Sequence, residues 1–320
     1  MTRPADARAR TVETTGDDAG QRIDNYLMRV LRGVPRGHVY KLLRKGEVRV
    51  NGRRARPVYR LAAGDRVRIP PVREERHAEG RLPEHLLARL RGRILHEDDD
   101  VIVIDKPAGL AVHAGSGLGG GLIDGLRELR PDLPALSLVH RLDRDTSGCL
   151  LLAKSRRVLR ALQGALREQR FEKTYQAVLV GDWRAPEVTP EVTPEVTVDA
   201  PLTRDVRRGN ERIVRVDPVH GQAARSRFRR LAGNGSLTRV EVNIETGRTH
   251  QIRVHAVHLG FPLLGDAKYG NRRAERACLG ERPARLFLHA WRLGFPLGEE
   301  RIVVESPLPA DFVAITEVAS

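Results

Sequence analysis

The densest cluster of reactive side chains lies in LVHRLDRDTSG, Leu138 to Gly148, which sets His140, Arg141, Asp143, Arg144, Asp145 and Thr146 on one connection between two apolar runs. Connections between strands ordinarily use Gly, Asn or Pro. Acid, base and hydroxyl groups loaded on a loop fixed at both ends therefore mark a candidate site. The plainer alternative is that Asp143 or Asp145 caps a turn while Arg144 stands in solvent, and this segment alone leaves both open. A protein-kinase catalytic loop also joins His, Arg and Asp, but no glycine-rich phosphate loop, DFG or suitably spaced Asn accompanies it here. A hydrolase triad lacks its GxSxG nucleophile elbow.

Two further segments carry candidate chemistry. In FEKTYQAV, Phe171 to Val178, Tyr175 opens an apolar strand in a chain with only 4% aromatic residues, and its plainer reading is a core side chain. In ETGRTHQIRVHAVH, Glu245 to His258, an alternating strand runs into a Thr-Gly turn and then a helix whose expected cap is Thr249. Arg253 falls near the first turn of that helix, among histidine, threonine and arginine donors. Its alternative is a surface arginine or a phosphate contact.

The elements that must position these groups follow from hydrophobic spacing. Strand-like runs occupy Val101 to Ile104, Leu136 to Val139, Cys149 to Ala153, Tyr175 to Val180 and Val240 to Ile244, with helices around Leu122 to Leu129 and Val158 to Arg167. Strands and helices do not alternate regularly, so the expected class is α+β, with a mixed, mainly antiparallel sheet flanked by helices. Upstream, Ile23, Tyr26, Leu27, Val30 and Leu31 mark a helix ending near Gly33, and Val39, Leu42 and Leu43 a second helix stopped by Gly46. Val48 and Val50 then lead into an Asn51-Gly52 hairpin turn, followed by the alternation Arg66 to Ile69.

Charge is concentrated in that amino-terminal region. The chain of 320 residues carries a formal net charge of +15, and Arg22 to Arg68 contributes fourteen basic residues against Asp24, Glu47 and Asp65, a net of +11. Such a single-signed stretch predicts a polyanionic partner. Its candidate contacts are Arg22, Arg36, Lys41, Arg44, Lys45 and Arg49. Two cysteines without CxxC spacing give neither a disulfide framework nor a zinc site. No apolar run has the length of a signal peptide core or a membrane span, so the expectation is a cytoplasmic protein without a membrane partner. Residues 1–20 read as a flexible tail, 21–70 as a basic module, 71–90 as a linker and 91–315 as the larger domain. The repeated EVTPEVTPEVT, 187–197, reads as an exposed loop insertion because its prolines interrupt pairing.

The stretch Gln21 to Pro70 resembles an S4 RNA-binding domain, with helix pair, basic face and NG hairpin in order. HRLDRDTSG, KTYQAV and GRTHQIRVH, joined by VIVIDKPAGLAVHAG from Val101, FPLLGDAKYG from Phe261 and LFLHAWRLGFP from Leu286, resemble the ordered motifs of the RluA-type RNA pseudouridine synthases. The resemblance is strongest to the large-subunit ribosomal subgroup that carries an amino-terminal S4 domain. It implies a small S4 domain joined to a pseudouridine-synthase domain, isomerising uridines of 23S ribosomal RNA or its large-subunit precursor. No cofactor or metal is implied, and a monomer is the default.

The resemblance also assigns roles. Asp143 matches the catalytic aspartate, Tyr175 the tyrosine that packs on the target base, and Arg253 the residue that pairs with the carboxylate. Arg141, with His140 beside it, matches an arginine that enters the RNA stack where the base leaves. Pseudouridine formation breaks the N1–C1′ bond, turns the uracil and rejoins it through C5. Asp143 either adds to the sugar or removes a 2′ proton, and both routes need it ionised, which an adjacent Arg253 favours. Ala114 departs from the family pattern, where a proline often follows the histidine. Two other classes remain at this point. A noncatalytic S4-type RNA-binding or ribosome-assembly protein would leave uridine unchanged, and an RNA hydrolase using Asp143 and Asp145 would release fragments or uracil.

Overall fold

The computed structural model describes residues 8–31, 34–72, 82–113, 120–184, 195–208, 211–280 and 285–317. The chain divides into two compact units, residues 1–80 and 81–320.

In the first unit β1 (Arg10–Glu13) precedes α1 (Ile23–Val30), α2 (Arg36–Lys45), β2 (Arg49–Val50), β3 (Arg53–Arg54) and β4 (Arg66–Ile69). The helices bury Ile23, Leu27, Val39 and Leu43 against Val50, Val67 and Ile69 of a four-stranded sheet ordered β1-β4-β2-β3. Gly46 ends α2 in the left-handed conformation at φ 70°, which spares the Cβ clash another residue would suffer. Asn51 and Gly52 take φ 50° and 78°, the geometry that lets a two-residue turn match strand twist.

The amino-terminal segment differs from the expected tail. From Arg10 it is a strand on the edge of β4, and Thr14, 3% exposed, donates its hydroxyl to the Ala62 carbonyl. Asp18 accepts from the Thr15 amide and pairs with Arg29. Four residues are too few for alternation to stand out, and a partner strand supplies the ordering. Helix α1 stops at Val30, and Arg32 and Gly33 lie outside the described residues.

The second unit begins with α3 (Glu84–Ala88), β5 (Ile94–Glu97), β6 (Val101–Lys106), α4 (Leu122–Leu129), β7 (Ser137–Leu138), β8 (Ser147–Ala153), α5 (Arg156–Arg167) and β9 (Glu172–Val180). There follow β10 (Glu195–Asp199), β11 (Leu202–Arg208), β12 (Glu211–Val216), β13 (Arg225–Gly233), β14 (Leu237–Ile244), α6 (Gln251–His258), α7 (Arg272–Leu279), β15 (Leu288–Leu297), β16 (Glu300–Glu305) and α8 (Ala310–Glu317). The main sheet has ten strands, with β10-β13-β14-β9-β15-β8-β6-β5 in order, β16 beside β15 and β7 beside β8. Only the β8–β15 contact is parallel among the described pairs of this sheet, so the mixed, mainly antiparallel expectation holds.

Three boundaries move. Leu82, Leu87 and Leu90, expected in a linker, are buried in the core of the second unit, where Gly125 leaves room for the Leu82 side chain. Glu195 to Thr197, expected in the loop insertion, open the edge strand β10 paired with β13, because Pro194 is the last proline and Val196 and Val198 then alternate. Residues 185–194 lie outside the described residues. Helix α8 carries the fold past 315 and buries Phe312 against Phe287, ring centroids 5.1 Å apart.

The site rests where β8 and β15 meet. Gly148 has φ 105°, and a Cβ there would lie 2.3 Å from the Ala290 carbonyl oxygen. Only glycine allows that approach, and it anchors the end of the loop that carries Asp143.

Candidate active site

The HRLD loop leaves β7 and enters β8, pinned on both sides. The Thr146 amide donates to the Asp143 carbonyl at 3.2 Å, closing a tight turn. Beneath it Lys106, fully buried at the end of β6, donates to the carbonyls of Pro107, Leu110 and Arg144 at 2.9, 2.8 and 2.9 Å. Three carbonyls match the three N–H bonds of an ammonium, which ties the KPAG segment to the turn that carries Asp143. Burial pushes this amine down to about 7, against the pull of Asp145 and Asp143. Lys106→Met is expected to leave these carbonyls without a donor and lower stability by about 3 kcal/mol or more, read as a fall in urea midpoint at unchanged m-value.

Asp143 and Arg253 come together across 110 residues of sequence, with Arg253 Nη1 3.3 Å from Asp143 Oδ2. His250 Nε2 lies 3.6 Å from the same oxygen. Among the described residues, Oδ1 of Asp143 has no partner, so one carboxylate oxygen is anchored and the other is free. Arg253 is 7% exposed and is held from behind by Asp266, with Nε–Oδ2 and Nη2–Oδ1 both 2.7 Å. Such a fork fixes the guanidinium plane as well as its charge. Burial alone would raise the Asp266 carboxyl, but the Arg253 fork and the amides of Lys268 and Tyr269 bring it below its ordinary range.

Helix α6 starts differently from expectation. Its first flanking residue is His250 at φ 55° and ψ 20°, and Thr249 does not cap it. Instead the Gln251 side chain turns back, accepting from the Thr246 hydroxyl and the Arg248 amide. This moves the helix start one residue on and aims His250 at the site.

A pocket of about 80 Å³ opens over Asp143, with Tyr175, Ile244 and Leu288 as apolar walls and Arg141, Arg248 and His250 as polar ones. Tyr175 is 9% exposed, and burial, helped by the charge of Asp143, pushes its phenol up. It therefore stays neutral and serves as an aromatic wall. Arg141 is exposed at the pocket rim. His140 is turned inward: burial pushes its imidazole down to about 4, and its Nε2 accepts the Leu151 amide at 3.1 Å. That lone pair supports the loop, so His140 does not present this nitrogen to RNA. A second cavity of about 770 Å³ is lined by Lys106, Arg144, Asp145, Asp266 and Arg253, the last of which also lines the first.

Residues 100–258 match the family model described as RNA pseudouridylate synthase, and residues 21–67 match the S4 domain. Ribosomal large subunit pseudouridine synthase C of Escherichia coli (strain K12) is 46% identical over 303 residues, covering 93% of this chain and 92% of its own. The chain belongs to the RNA pseudouridylate synthase family. The protein of the same description from Yersinia pestis is 44% identical over 301 residues, covering 93% and 91%. Among solved structures, human RNA Pseudouridylate Synthase Domain Containing 4 is similar with TM-score 0.57 and 30% identity, covering 72% of this chain and 94% of that one. Human RNA Pseudouridylate Synthase Domain Containing 1 gives TM-score 0.55 and 26% identity, covering 68% and 83%.

This RNA pseudouridine synthase therefore places Asp143, Arg253 and Tyr175 around one pocket, while Arg141 stands at its edge. Sequence reasoning did not single out Asp266, His250, Tyr269 or Lys106. Asp266 and Tyr269 lie in FPLLGDAKYG and Lys106 in the KPAG segment, both noted only as supporting motifs, and His250 lies in GRTHQIRVH. In the S4 unit the candidate contacts are variously occupied. Arg22 pairs with Asp24 at 2.6 Å, Arg36 reaches the Tyr40 hydroxyl at 3.4 Å, and Lys45 lies 3.8 Å from Glu47. Arg49 donates to the Gly46 carbonyl at 3.4 Å, while Lys41 and Arg44 are exposed. Among the described residues, no helix is long and apolar enough to cross a membrane. Ala114 lies outside the described residues.

Proposed function

We propose that this enzyme isomerises specific uridines of 23S ribosomal RNA or its large-subunit precursor, with Asp143 as the group that acts on the sugar. The observation carrying the reading is the Asp143 carboxylate, anchored through Oδ2 by Arg253 and free at Oδ1, at the floor of a pocket walled by Tyr175. Relatives sharing more than two fifths of their residues across nearly the whole chain carry a large-subunit ribosomal description, which supports the substrate class.

The chemistry follows from that arrangement. The target base leaves its stack at a cost of a few kcal/mol, and Tyr175 offers a face worth about 1 to 3 kcal/mol of stacking. Arg141 at the rim fills the gap left in the RNA. In one route Asp143 Oδ1 bonds to C1′ while the N1–C1′ electron pair leaves on the uracil. In the other the carboxylate takes the 2′ proton as the N1–C1′ bond breaks, so that uracil leaves and a glycal forms. Either way the uracil turns and C5 bonds to C1′, as the Oδ1–C1′ bond breaks in the first route or as the 2′ proton returns to C2′ in the second; the C5 hydrogen then departs as a proton, and N1 gains one. Arg253 holds Oδ2 and orients the side chain. The S4 unit contributes phosphate contacts through Lys41 and Arg44, which raise affinity without reading bases.

RNA tritiated at uridine C5 tests this reading. Unmodified 23S transcript should release tritium to water, and 16S and transfer RNA transcripts should not. Release from transfer RNA alone would overturn the ribosomal assignment. Lys41→Ala with Arg44→Ala should weaken binding at every sequence alike and flatten the log affinity against log salt slope by about 1.4 to 1.8, since two phosphate contacts are lost.

A further inference from the structure

Behind Asp143 runs a chain of hydrogen bonds that the chemistry above does not use. The Val214 amide donates to the Tyr269 hydroxyl oxygen at 3.0 Å. The phenolic hydrogen of Tyr269 is therefore free to point elsewhere, and His250 Nδ1 lies 2.7 Å from that oxygen. With that hydrogen turned toward the imidazole, Tyr269 donates and Nδ1 accepts. A neutral imidazole that accepts at Nδ1 carries its hydrogen on Nε2. Nε2 is the nitrogen 3.6 Å from Asp143 Oδ2, the oxygen already facing Arg253.

Independent features hold this pair in place. The two rings meet edge to face with centroids 5.4 Å apart, and the Arg253 guanidinium sits 5.0 Å from the Tyr269 ring centroid. His250 occupies the left-handed region at φ 55°, which is uncommon for a non-glycine residue and persists where surrounding contacts demand it. The charged groups facing His250 are Asp143, Arg253, Lys268 and Asp266. Burial pushes its imidazole down to about 4 and pushes the Tyr269 phenol up, so both are neutral near pH 7.

We propose that Tyr269 is a positioning residue: by fixing His250 as the tautomer with hydrogen on Nε2, it turns that N–H, 3.6 Å away, toward Oδ2 of Asp143 beside the Arg253 hydrogen bond, and leaves Oδ1 for the ribose. The proposal rests on the reading of Asp143 as the group that acts on the sugar.

Two measurements test it. In protein labelled with nitrogen-15 histidine, the His250 resonances should report hydrogen on Nε2 and none on Nδ1, and Tyr269→Phe should mix the two tautomers. In single-turnover reactions Tyr269→Phe should slow pseudouridine formation about tenfold, the effect of one lost orienting hydrogen bond, with RNA affinity unchanged. His250→Gln places an amide N–H near the site of Nε2 and has no tautomer to set. In that background Tyr269→Phe should add less than about a twofold loss. A full tenfold loss there, hydrogen on Nδ1 in the parent protein, or a Tyr269→Phe enzyme with unchanged tautomer and rate would each overturn the proposal. A parent enzyme inactive on ribosomal RNA would instead contradict the substrate assignment, because the tautomer is read without substrate.

Discussion

Asp143→Asn is expected to slow pseudouridine formation by at least about ten-thousandfold while RNA binds as tightly as before, the pattern of losing a group that acts in the transition state. Asparagine keeps the shape of the side chain, and its amide neither adds to C1′ as an oxyanion nor takes a 2′ proton. Arg253 retains its fork to Asp266 in this variant, so the pocket is not left with an unpaired buried guanidinium. Single-turnover rates and filter binding measured together separate the two effects. Weakened binding with a near-normal rate would place Asp143 in RNA capture instead.

Asp266→Asn should produce the second-largest effect and through a different cause. The substitution removes the charge opposite a buried guanidinium, and breaking such a pair costs about 3 to 5 kcal/mol. Arg253 then loses the fork that aims Nη1 at Asp143, so a fall of about a hundredfold in turnover should accompany the loss of stability. Acid pH gives a separate readout. The folded-state carboxyl of Asp266 lies below its ordinary range, so its contribution is complete above the unfolded value near 4 and fades as pH falls through the lowered one. The acid limb of the stability curve should therefore flatten in Asp266→Asn. An unchanged acid limb, found in denaturant midpoints across pH, would contradict the role given to this pair.

Legibility in the sequence depended on how local the signal was. Helix α4 occupies the expected Leu122–Leu129, because its apolar stripe is a property of its own residues. The Gly46 stop and the Asn51-Gly52 turn were equally plain, since backbone conformation selects those residue types. The strand at Arg10–Glu13 was not, because its order comes from β4, more than fifty residues away. The same distinction governs the site. HRLD, KTYQAV and GRTHQIRVH each displayed reactive groups, and the family resemblance joined Asp143, Tyr175 and Arg253. Asp266 escaped notice because nothing in its segment announces that it braces Arg253. Lys106 looked like any lysine at a strand end, and its meaning appears only when three carbonyls from two segments converge on it. His140 errs the other way, since a histidine in a reactive motif proved to hold its loop through the Leu151 amide.

The central claim is tested most directly by mapping pseudouridine in unmodified 23S ribosomal RNA, by carbodiimide labelling and primer extension, after incubation with the parent enzyme or Asp143→Ala. New stops at particular uridines with the parent and none with the variant are the expected result. Identical stops with both proteins, or no stops with the parent on this RNA, would contradict the account.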